Sequence, residues 1–361
     1  MGLWGKRDDM IVHQEDPYNA EPPRAALAGR MVTPVDAFYG RNHGPIPVID
    51  AGRWRLRVGG LVRRPLELSL ADLKSGYPAQ TLTATLQCAG NRRAGLMAVR
   101  PIPGETPWGP GATSTAEWTG VSLARVLRAA GIRPGAAHVA FAAPDVSPAA
   151  EPPQPYGGSI GLAKALAGEV TLAWAMNGQP LPAVHGAPVR VVVPGYIGAR
   201  SVKWVGQITV AEQPSASYFQ ATAYRLLPPD ADAGSPESAG LPLGAVAVNA
   251  DILRPDGRSV LPAGPVEVTG YAFAGDDRGI ARVDVSTDGG RRWRQADLGE
   301  TAGPWAWRHW RATIDLPAGE TEIVARAWDT AASVQPESAA QVWNPKGYVN
   351  NSWARLRVTA R

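Results

Sequence analysis

The sequence is poor in cysteine and in long apolar runs. Cys88 is the single cysteine among 361 residues, which excludes an internal disulfide and a metal cage made of several thiolates. No apolar run reaches the roughly 18 residues that a membrane-spanning helix needs, so we predict no membrane span. A Cys-x-x-Cys-His motif is also absent, so we predict no covalently held haem on this chain.

The sequence also lacks a large excess of charge of one sign, and it lacks several common catalytic motifs. The 36 basic and 32 acidic side chains leave a net charge of +4, without a block of five or more basic residues, and we therefore predict no nucleic-acid partner. The glycine patterns of dinucleotide-binding and P-loop proteins are absent, as is the Gly-x-Ser-x-Gly elbow of serine hydrolases. The five histidines do not pair at helical spacing, which argues against a helix-borne zinc site.

The N-terminus lacks the apolar core of a secretory signal. Residues 1–9 read Met-Gly-Leu-Trp-Gly-Lys-Arg-Asp-Asp. We therefore expect a cytoplasmic protein, with a periplasmic location as the alternative if a leader has been removed.

The first two thirds of the chain mix strand and helix patterns without strict alternation, which favours an α+β fold. Glycine (40 residues) and proline (34 residues) are frequent, as is typical of short elements joined by turns. Alternating or apolar runs predict strands at 53–58, 81–86 and 188–193. Helical spacing predicts helices after Ser69, after Ser122 up to Gly131, and after Ser159.

The sequence pattern changes after residues 226–242. This segment is rich in proline, glycine, serine and acidic residues and shows no hydrophobic periodicity. Beyond them, 266–271, 281–286 and 323–328 alternate between apolar and polar residues, which predicts a β-sandwich. We therefore divide the chain into an N-terminal extension (1–30), an α+β domain (31–228), a linker (229–243) and a β-sandwich domain (244–361).

Cys88 lies just past a predicted strand, in the run Gln-Cys-Ala-Gly-Asn-Arg-Arg. A lone cysteine is commonly a small buried apolar residue, but the neighbouring Arg92 and Arg93 favour a thiolate, which is a nucleophile or a metal ligand. Basic residues recur on glycine-containing loops at 41–44, 185–190 and 198–204, and such loops form anion cradles. A thiolate among anion cradles suggests a metal held by an anionic organic cofactor.

Five ordered motifs resemble the sulfite oxidase family of molybdenum–molybdopterin enzymes, in particular its bacterial, haem-free members. The resemblance implies a molybdopterin-binding domain followed by an immunoglobulin-like dimerisation domain, and hence a homodimer. Seven of the thirteen tryptophans lie in the second domain, which is a further hint of an interface. The motifs are 38–44, 88–93, 176–181, 194–204 and 342–347.

The resemblance also assigns roles to individual positions. Cys88 matches the thiolate ligand of molybdenum, the other two sulfur ligands coming from one molybdopterin dithiolene. Lys346 stands where the best-known members have an arginine that reaches the substrate, and lysine keeps the charge but loses the bidentate fork. The oxyanion pocket is matched by Arg41, Arg93, Trp108 and Tyr224. The cofactor-holding positions are matched by Tyr39, Arg41, Asn42, His43, Asp145, His185, Arg190, Ser201 and Lys203.

The activity that the resemblance implies is oxidation of sulfite to sulfate, with electrons passed to an external acceptor such as cytochrome c or oxygen. Nitrate reduction by relatives with the same two domains is the alternative, although we would expect asparagine there in place of Tyr224. Related methionine-sulfoxide reductases lack the second domain. A non-catalytic binding module is a further alternative, but the complete set of cofactor positions and Cys88 disfavour it.

Overall fold

The computed structural model describes residues 2–150, 152–231, 240–257 and 259–361. The predicted linker therefore lies partly outside the described residues, at 232–239. Near its C-terminal end, residues 241–242 form a short strand that pairs with residues 225–226, which precede the linker.

The described residues form 23 strands and four α-helices. The strands of the first domain and its N-terminal segment are β1 (Ile11–Gln14), β2 (Asn19–Glu21), β3 (Leu56–Gly60), β4 (Leu66–Leu68), β5 (Ala79–Gln87), β6 (Thr113–Ser122), β7 (His138–Ser147), β8 (Gln154–Gly161), β9 (Thr171–Met176), β10 (Gln179–Pro180), β11 (Arg190–Val192) and β12 (Gln207–Ala211). The later strands are β13 (Arg225–Leu226), β14 (Leu241–Pro242), β15 (Asn249–Arg254), β16 (Val260–Leu261), β17 (Gly264–Phe273), β18 (Ile280–Ser286), β19 (Arg294–Gln295), β20 (Asp297–Thr301), β21 (Arg308–Leu316), β22 (Gly319–Asp329) and β23 (Ala354–Ala360). The helices are α1 (Leu70–Gly76), α2 (Arg93–Met97), α3 (Leu123–Ala130) and α4 (Leu162–Leu166).

The first domain contains two five-stranded sheets. One is antiparallel, in the order β10-β9-β6-β5, with β11 also paired to β9. The other has the order β4-β3-β12-β7-β8 and is mixed, since β12 runs parallel to β3. The predicted α+β class is confirmed, and the strand that precedes Cys88 is β5, as the alternation at 81–86 indicates.

The helices begin close to the predicted places, with two corrections. At α1, Ser69 and Asp72 form a reciprocal capping box, and α3 ends at Gly131, whose φ of 72° suits glycine. The hydroxyl of Ser122 makes no capping bond to α3, so the apolar face of that helix, rather than a cap, holds it in place. Ser159 lies inside β8, and α4 begins at Leu162, three residues after Ser159.

The second domain is the predicted β-sandwich. Its sheets have the orders β15-β17-β21-β20 and β16-β23-β22-β18-β19. The inward-facing side chains of both sheets, among them Ile252, Val268, Val283 and Ile323, form one apolar core. This is the expected consequence of strands that alternate between buried and exposed residues. Among the described residues, no helix has the length and apolar character to cross a membrane.

The second domain holds the strand that leads to Cys88. The backbone N–H of Thr85 in β5 donates to the carbonyl of Trp305 at 2.9 Å, and the Thr85 hydroxyl accepts from the backbone N–H of Trp307 at 2.8 Å. Arg92 reaches the same domain, donating to the carbonyls of Ser352 and Trp353 at 2.8 and 3.1 Å. These contacts make the sandwich a support for the Cys88 loop.

Candidate active site

A cavity lies between the loops of the first domain, with Cys88 on its wall. Every position that the sequence assigned to cofactor holding lines this cavity, together with Tyr224. Three loops distant in sequence supply the polar groups, so the basic clusters identified in the sequence converge on one space. The predicted residues on the wall are Tyr39, Arg41, Asn42, His43, Cys88, Asp145, His185, Arg190, Ser201, Lys203 and Tyr224.

Cys88 is fixed at the end of β5. Its backbone N–H donates to the carbonyl of Ala112 at 2.9 Å, and its Sγ accepts from the backbone N–H of Gly90 at 3.4 Å. Burial raises the pKa of the thiol, while Arg41 and Arg93 act in the opposite direction. Burial therefore outweighs the two arginines and keeps the sulfur a thiol until a positive charge binds to it; a coordinated metal ion provides such a charge.

Arg190 and Lys203 bring two cations to the cavity wall. Arg190 donates to the carbonyls of His185 and Ser201 at 3.1 and 3.0 Å. Gly186 makes this packing feasible: its φ is 106°, and a Cβ there would lie only 2.9 Å from the Cβ of Lys203 and 3.0 Å from that of Arg190. Burial lowers the pKa of Arg190 to about 10.

Lys203 is bonded only to neutral acceptors. Its ammonium donates to the carbonyls of Arg41 and Val184 at 3.1 and 3.0 Å, and to Oδ1 of Asn42. Burial lowers the pKa of Lys203, and the charge of Arg190 lowers it further. Burial makes the charged forms of Arg190 and Lys203 unfavourable. An anionic ligand bound beside them would stabilise these charges, so the site is suited to such a ligand.

Aromatic side chains also line the cavity. The His43 ring stacks on Tyr156 with 4.5 Å between ring centroids, and its Nε2 lies 2.6 Å from the hydroxyl of Tyr224. Burial lowers the pKa of His43, and burial raises the pKa of Tyr224 to about 12. The imidazole is therefore neutral and the phenol protonated, and the tautomer of the His43 ring sets which of the two groups donates in this hydrogen bond.

The N-terminal segment, expected to be an extension, takes part in this site. Lys6 is buried, and its ammonium lies 2.6 and 2.8 Å from the carbonyl oxygens of Val35 and Phe38 and 2.5 Å from Nε2 of His185. Asn19 accepts a hydrogen bond from the backbone N–H of Asn42. No sequence signal singled out Lys6, because its partners lie up to 179 positions away.

We expect Lys6→Met to destabilise the protein by about 3 kcal/mol, because two buried carbonyls lose their donor. Chemical unfolding followed by circular dichroism measures the change. Lys74→Met, on the exposed face of α1, is the matched control and should leave the unfolding midpoint unchanged. Equal midpoints for both variants would contradict a structural role for Lys6.

A wider funnel joins the deep cavity to the surface. It shares Arg41, Asn42, His43 and Tyr224 with the deep cavity. Tyr348 of the second domain also lines it and stacks on Tyr224, with 5.4 Å between ring centroids. Sequence reasoning missed Tyr348, although it directly follows the motif identified at 342–347.

Three predicted substrate-binding residues do not line either cavity. Arg93 is clamped beside the Cys88 loop, where Nε donates to the carbonyl of Gly347 at 3.1 Å. Trp108 is fully buried, packs edge-on against His13, and leaves its indole N–H without a partner. Lys346 lies half-buried in a turn just before Gly347. Their roles in substrate binding stay predictions.

The cavity fits an anionic cofactor that brings its own metal ligands. Arg41, Arg190 and Lys203 line it, against Asp145 as the one carboxylate among the lining residues. Oδ1 of Asp145 is buried without a hydrogen-bond partner. Within the described residues, no group of three or more histidine, cysteine or acidic side chains could hold a metal ion. A metal at Cys88 thus needs further ligands from a bound molecule.

We expect the stability of the cofactor-free protein to fall as pH rises towards 7 because of Asp145. Burial raises the pKa of this carboxyl to about 7, so the folded chain binds the proton more tightly than the unfolded chain, and that advantage is lost between the usual carboxyl range and pH 7. Asp145→Asn removes this contribution and should flatten the pH profile of urea unfolding. Asp297→Asn, on the surface, should not. Parallel profiles for wild type and Asp145→Asn would contradict the assignment.

Comparisons with known proteins agree with these features. A family model described as the oxidoreductase molybdopterin binding domain matches residues 43–219, and one described as the Mo-co oxidoreductase dimerisation domain matches residues 243–361. Both matches lie almost wholly within the two predicted domains, whose boundaries stay predictions.

Similar proteins are found among animals, plants and bacteria. The chain is 44% identical to a sulfite oxidase of Gallus gallus (95% of this chain, 76% of that protein) and 41% identical to one of Arabidopsis thaliana (97% and 94%). It is 37% identical to a nitrate reductase [NAD(P)H] of Hordeum vulgare, covering 98% of this chain and 42% of that one. The crystal structure of the sulfane dehydrogenase SoxCD from Paracoccus pantotrophus superposes with a TM-score of 0.82 at 28% identity, over 97% of this chain and 86% of that one.

These matches span both domains and include the loops that carry Cys88 and the buried cations. The chain therefore belongs to the sulfite oxidase family of molybdopterin-dependent oxidoreductases.

Proposed function

We propose that this protein oxidises sulfite to sulfate at a molybdenum held by Cys88 and one molybdopterin, and passes the electrons to an external acceptor. The reaction consumes one water and releases two protons and two electrons for each sulfite. One observation carries the proposal: Cys88 lies on the wall of a cavity lined by cationic side chains. Arg41 lines both this cavity and the adjoining funnel. The identity to sulfite oxidases supports it, and the identity to a nitrate reductase is lower.

The cofactor-holding residues divide by chemistry. Arg190 and Lys203, with neutral bonding partners only, are suited to the anionic part of molybdopterin. Asn42, His185 and Ser201 are held by backbone and side-chain hydrogen bonds that orient the wall. Molybdenum with its pterin, when bound, supplies the two-electron redox chemistry and the oxygen transfer.

The chain's own residues bind and orient the anion. Arg41 lines both the deep cavity and the funnel, so its guanidinium is positioned to bind sulfite between the surface and Cys88. Burial acts to lower the pKa of Arg41, but the ionisable neighbours Tyr224 and Cys88 act the other way and the net shift is upward, so the guanidinium stays charged. The Tyr224 hydroxyl, hydrogen-bonded to Nε2 of His43, lines the same space and is able to turn to a sulfite oxygen.

An anaerobic assay that offers sulfite with cytochrome c, ferricyanide or oxygen in turn tests the proposal. We expect sulfite to reduce at least one acceptor, and metal analysis to give about one molybdenum per chain. A second assay offers nitrate together with a reduced dye as electron donor, and so tests the nitrate reductase alternative. Reduction of nitrate without any oxidation of sulfite would overturn the proposal in favour of the nitrate reductase alternative.

We also propose that the protein acts as a homodimer through its second domain, which the match to a dimerisation domain supports. Sedimentation velocity of the full chain should give the mass of two chains of 38.1 kDa. The absence of haem, the physiological acceptor and the cytoplasmic location expected from the sequence stay predictions.

A further inference from the structure

Arg93 forms an ion pair with Glu105 beside the funnel. Nη1 of Arg93 lies 3.1 Å from Oε2 of Glu105, and the two side chains are 4% and 25% exposed. The same guanidinium nitrogen donates to the carbonyl of Thr106 at 3.0 Å, and Nε donates to the carbonyl of Gly347. The buried Arg93 is thus held by two carbonyl oxygens, with Glu105 as its charged partner.

Two glycines clamp the Arg93 side chain in place. A Cβ on Gly90 would lie 2.7 Å from Nη2, and one on Gly347 would lie 2.7 Å from Cγ. Because the guanidinium sits in this slot between the two domains, it lines neither cavity and acts on a bound anion only through its charge. Any group that neutralises that charge therefore changes the electrostatic potential of the site.

Glu105 is that group, and it also faces the path of the substrate. It lines the funnel together with Arg41, Tyr224 and Tyr348, and it is the one carboxylate on the described part of the funnel wall. Burial raises the pKa of Cys88, Tyr224 and Tyr348; Glu105 adds to each rise and Arg93 opposes it. The two charges thus act with opposite sign on the same three groups.

Building on the proposed function, we propose that Glu105 is a positioning residue that sets specificity for anion charge. It neutralises Arg93 and keeps a negative charge on the funnel wall, so that anion binding rests on Arg41. Because the repulsion grows with the charge of the ligand, Glu105 weakens the binding of dianions more than that of monoanions. The consequence is weak retention of sulfate, the dianionic product.

Glu105→Gln in the holoenzyme tests this, since glutamine keeps an acceptor for Arg93 and removes only the charge. We expect the dissociation constant of sulfate to fall about tenfold and that of nitrate only about threefold, as for one charge removed at roughly 8 Å in a hydrated funnel. The KM for sulfite should fall in parallel, with kcat not increased. Isothermal calorimetry measures the two dissociation constants without turnover.

Three further variants sharpen the test. Glu105→Asp keeps the charge and should bind both anions like wild type. Gln14→Glu, on the same funnel wall, restores a carboxylate to the Glu105→Gln protein and should weaken sulfate again by about tenfold. Glu322→Gln removes a glutamate paired to Arg355 at 2.8 Å on the second domain, and should change neither constant.

The inference is overturned if Glu105→Gln binds sulfate within twofold of wild type or more weakly, or if sulfate and nitrate change by equal factors. Should Glu105→Gln fold poorly, Gln14→Glu in the wild-type background decides alone: sulfate must weaken more than nitrate. Failure of sulfite oxidation itself would be seen in the turnover assay of the wild type. The calorimetric comparison does not depend on that assay.

Discussion

Cys88→Ser should lose at least about a thousandfold in sulfite oxidation, equal to about 4 kcal/mol of transition-state stabilisation. The reason is that a hard alcohol oxygen replaces the one soft sulfur that this chain offers to the metal. The turnover assay with ferricyanide or cytochrome c measures the loss. Because the cavity walls stay in place, we expect molybdopterin to be retained while oxidation stops.

The control for this variant is Ala112→Ser. Ala112 is fully buried in the same apolar cluster as Cys88, so the control introduces the same buried hydroxyl without removing the sulfur. Near-UV circular dichroism should show the folded state for both proteins. A Cys88→Ser protein with near-normal turnover would disprove that the sulfur is a metal ligand.

Arg41→Gln should lower kcat/KM for sulfite by about a hundredfold to a thousandfold, the usual loss when one preorganised charged donor is removed from a buried site. Arg41 is the one arginine that lines both the deep cavity and the funnel within the described residues. Arg41→Lys keeps the charge and loses the fork, so its kcat/KM should lie between those of wild type and Arg41→Gln.

A surface variant separates the effect of Arg41 from a general loss of positive charge. Arg55→Gln removes one charge from the exposed side of the first domain and should change kcat/KM by less than about twofold, because exposed charges are screened. Equal losses for Arg41→Gln and Arg55→Gln would mean that Arg41 contributes only to the long-range field. In that case the proposed substrate contact is wrong.

Local pattern predicted most of the fold. Alternation at 81–86 lies within β5, and the run at 266–271 lies within β17, because a half-buried strand must place apolar side chains on one face. The predictions that were wrong concern element ends. Ser159 belongs to β8, because pairing with β7 outweighs its preference for a helix start.

Residue types and their spacing also predicted much of the candidate site. The basic loops and Cys88 line one cavity, as the motifs implied. Lys6, Tyr156 and Tyr348 join them through contacts between segments far apart in the chain, and short motifs contain no information about such contacts. For the same reason the exclusion of Arg93 from the cavity wall could not be anticipated.

The sequence alone already determines the family and the two-domain plan. It does so through a single cysteine, the scarcity of other metal-ligating clusters and five ordered motifs. Those features are local, and each depends only on residue type and order. The electrostatics of the site depend on the tertiary structure, because charge acts through space. Packing pairs Arg93 with Glu105 and leaves Arg190 and Lys203 with neutral partners. The folded chain thereby determines which positive charges remain available to an anion.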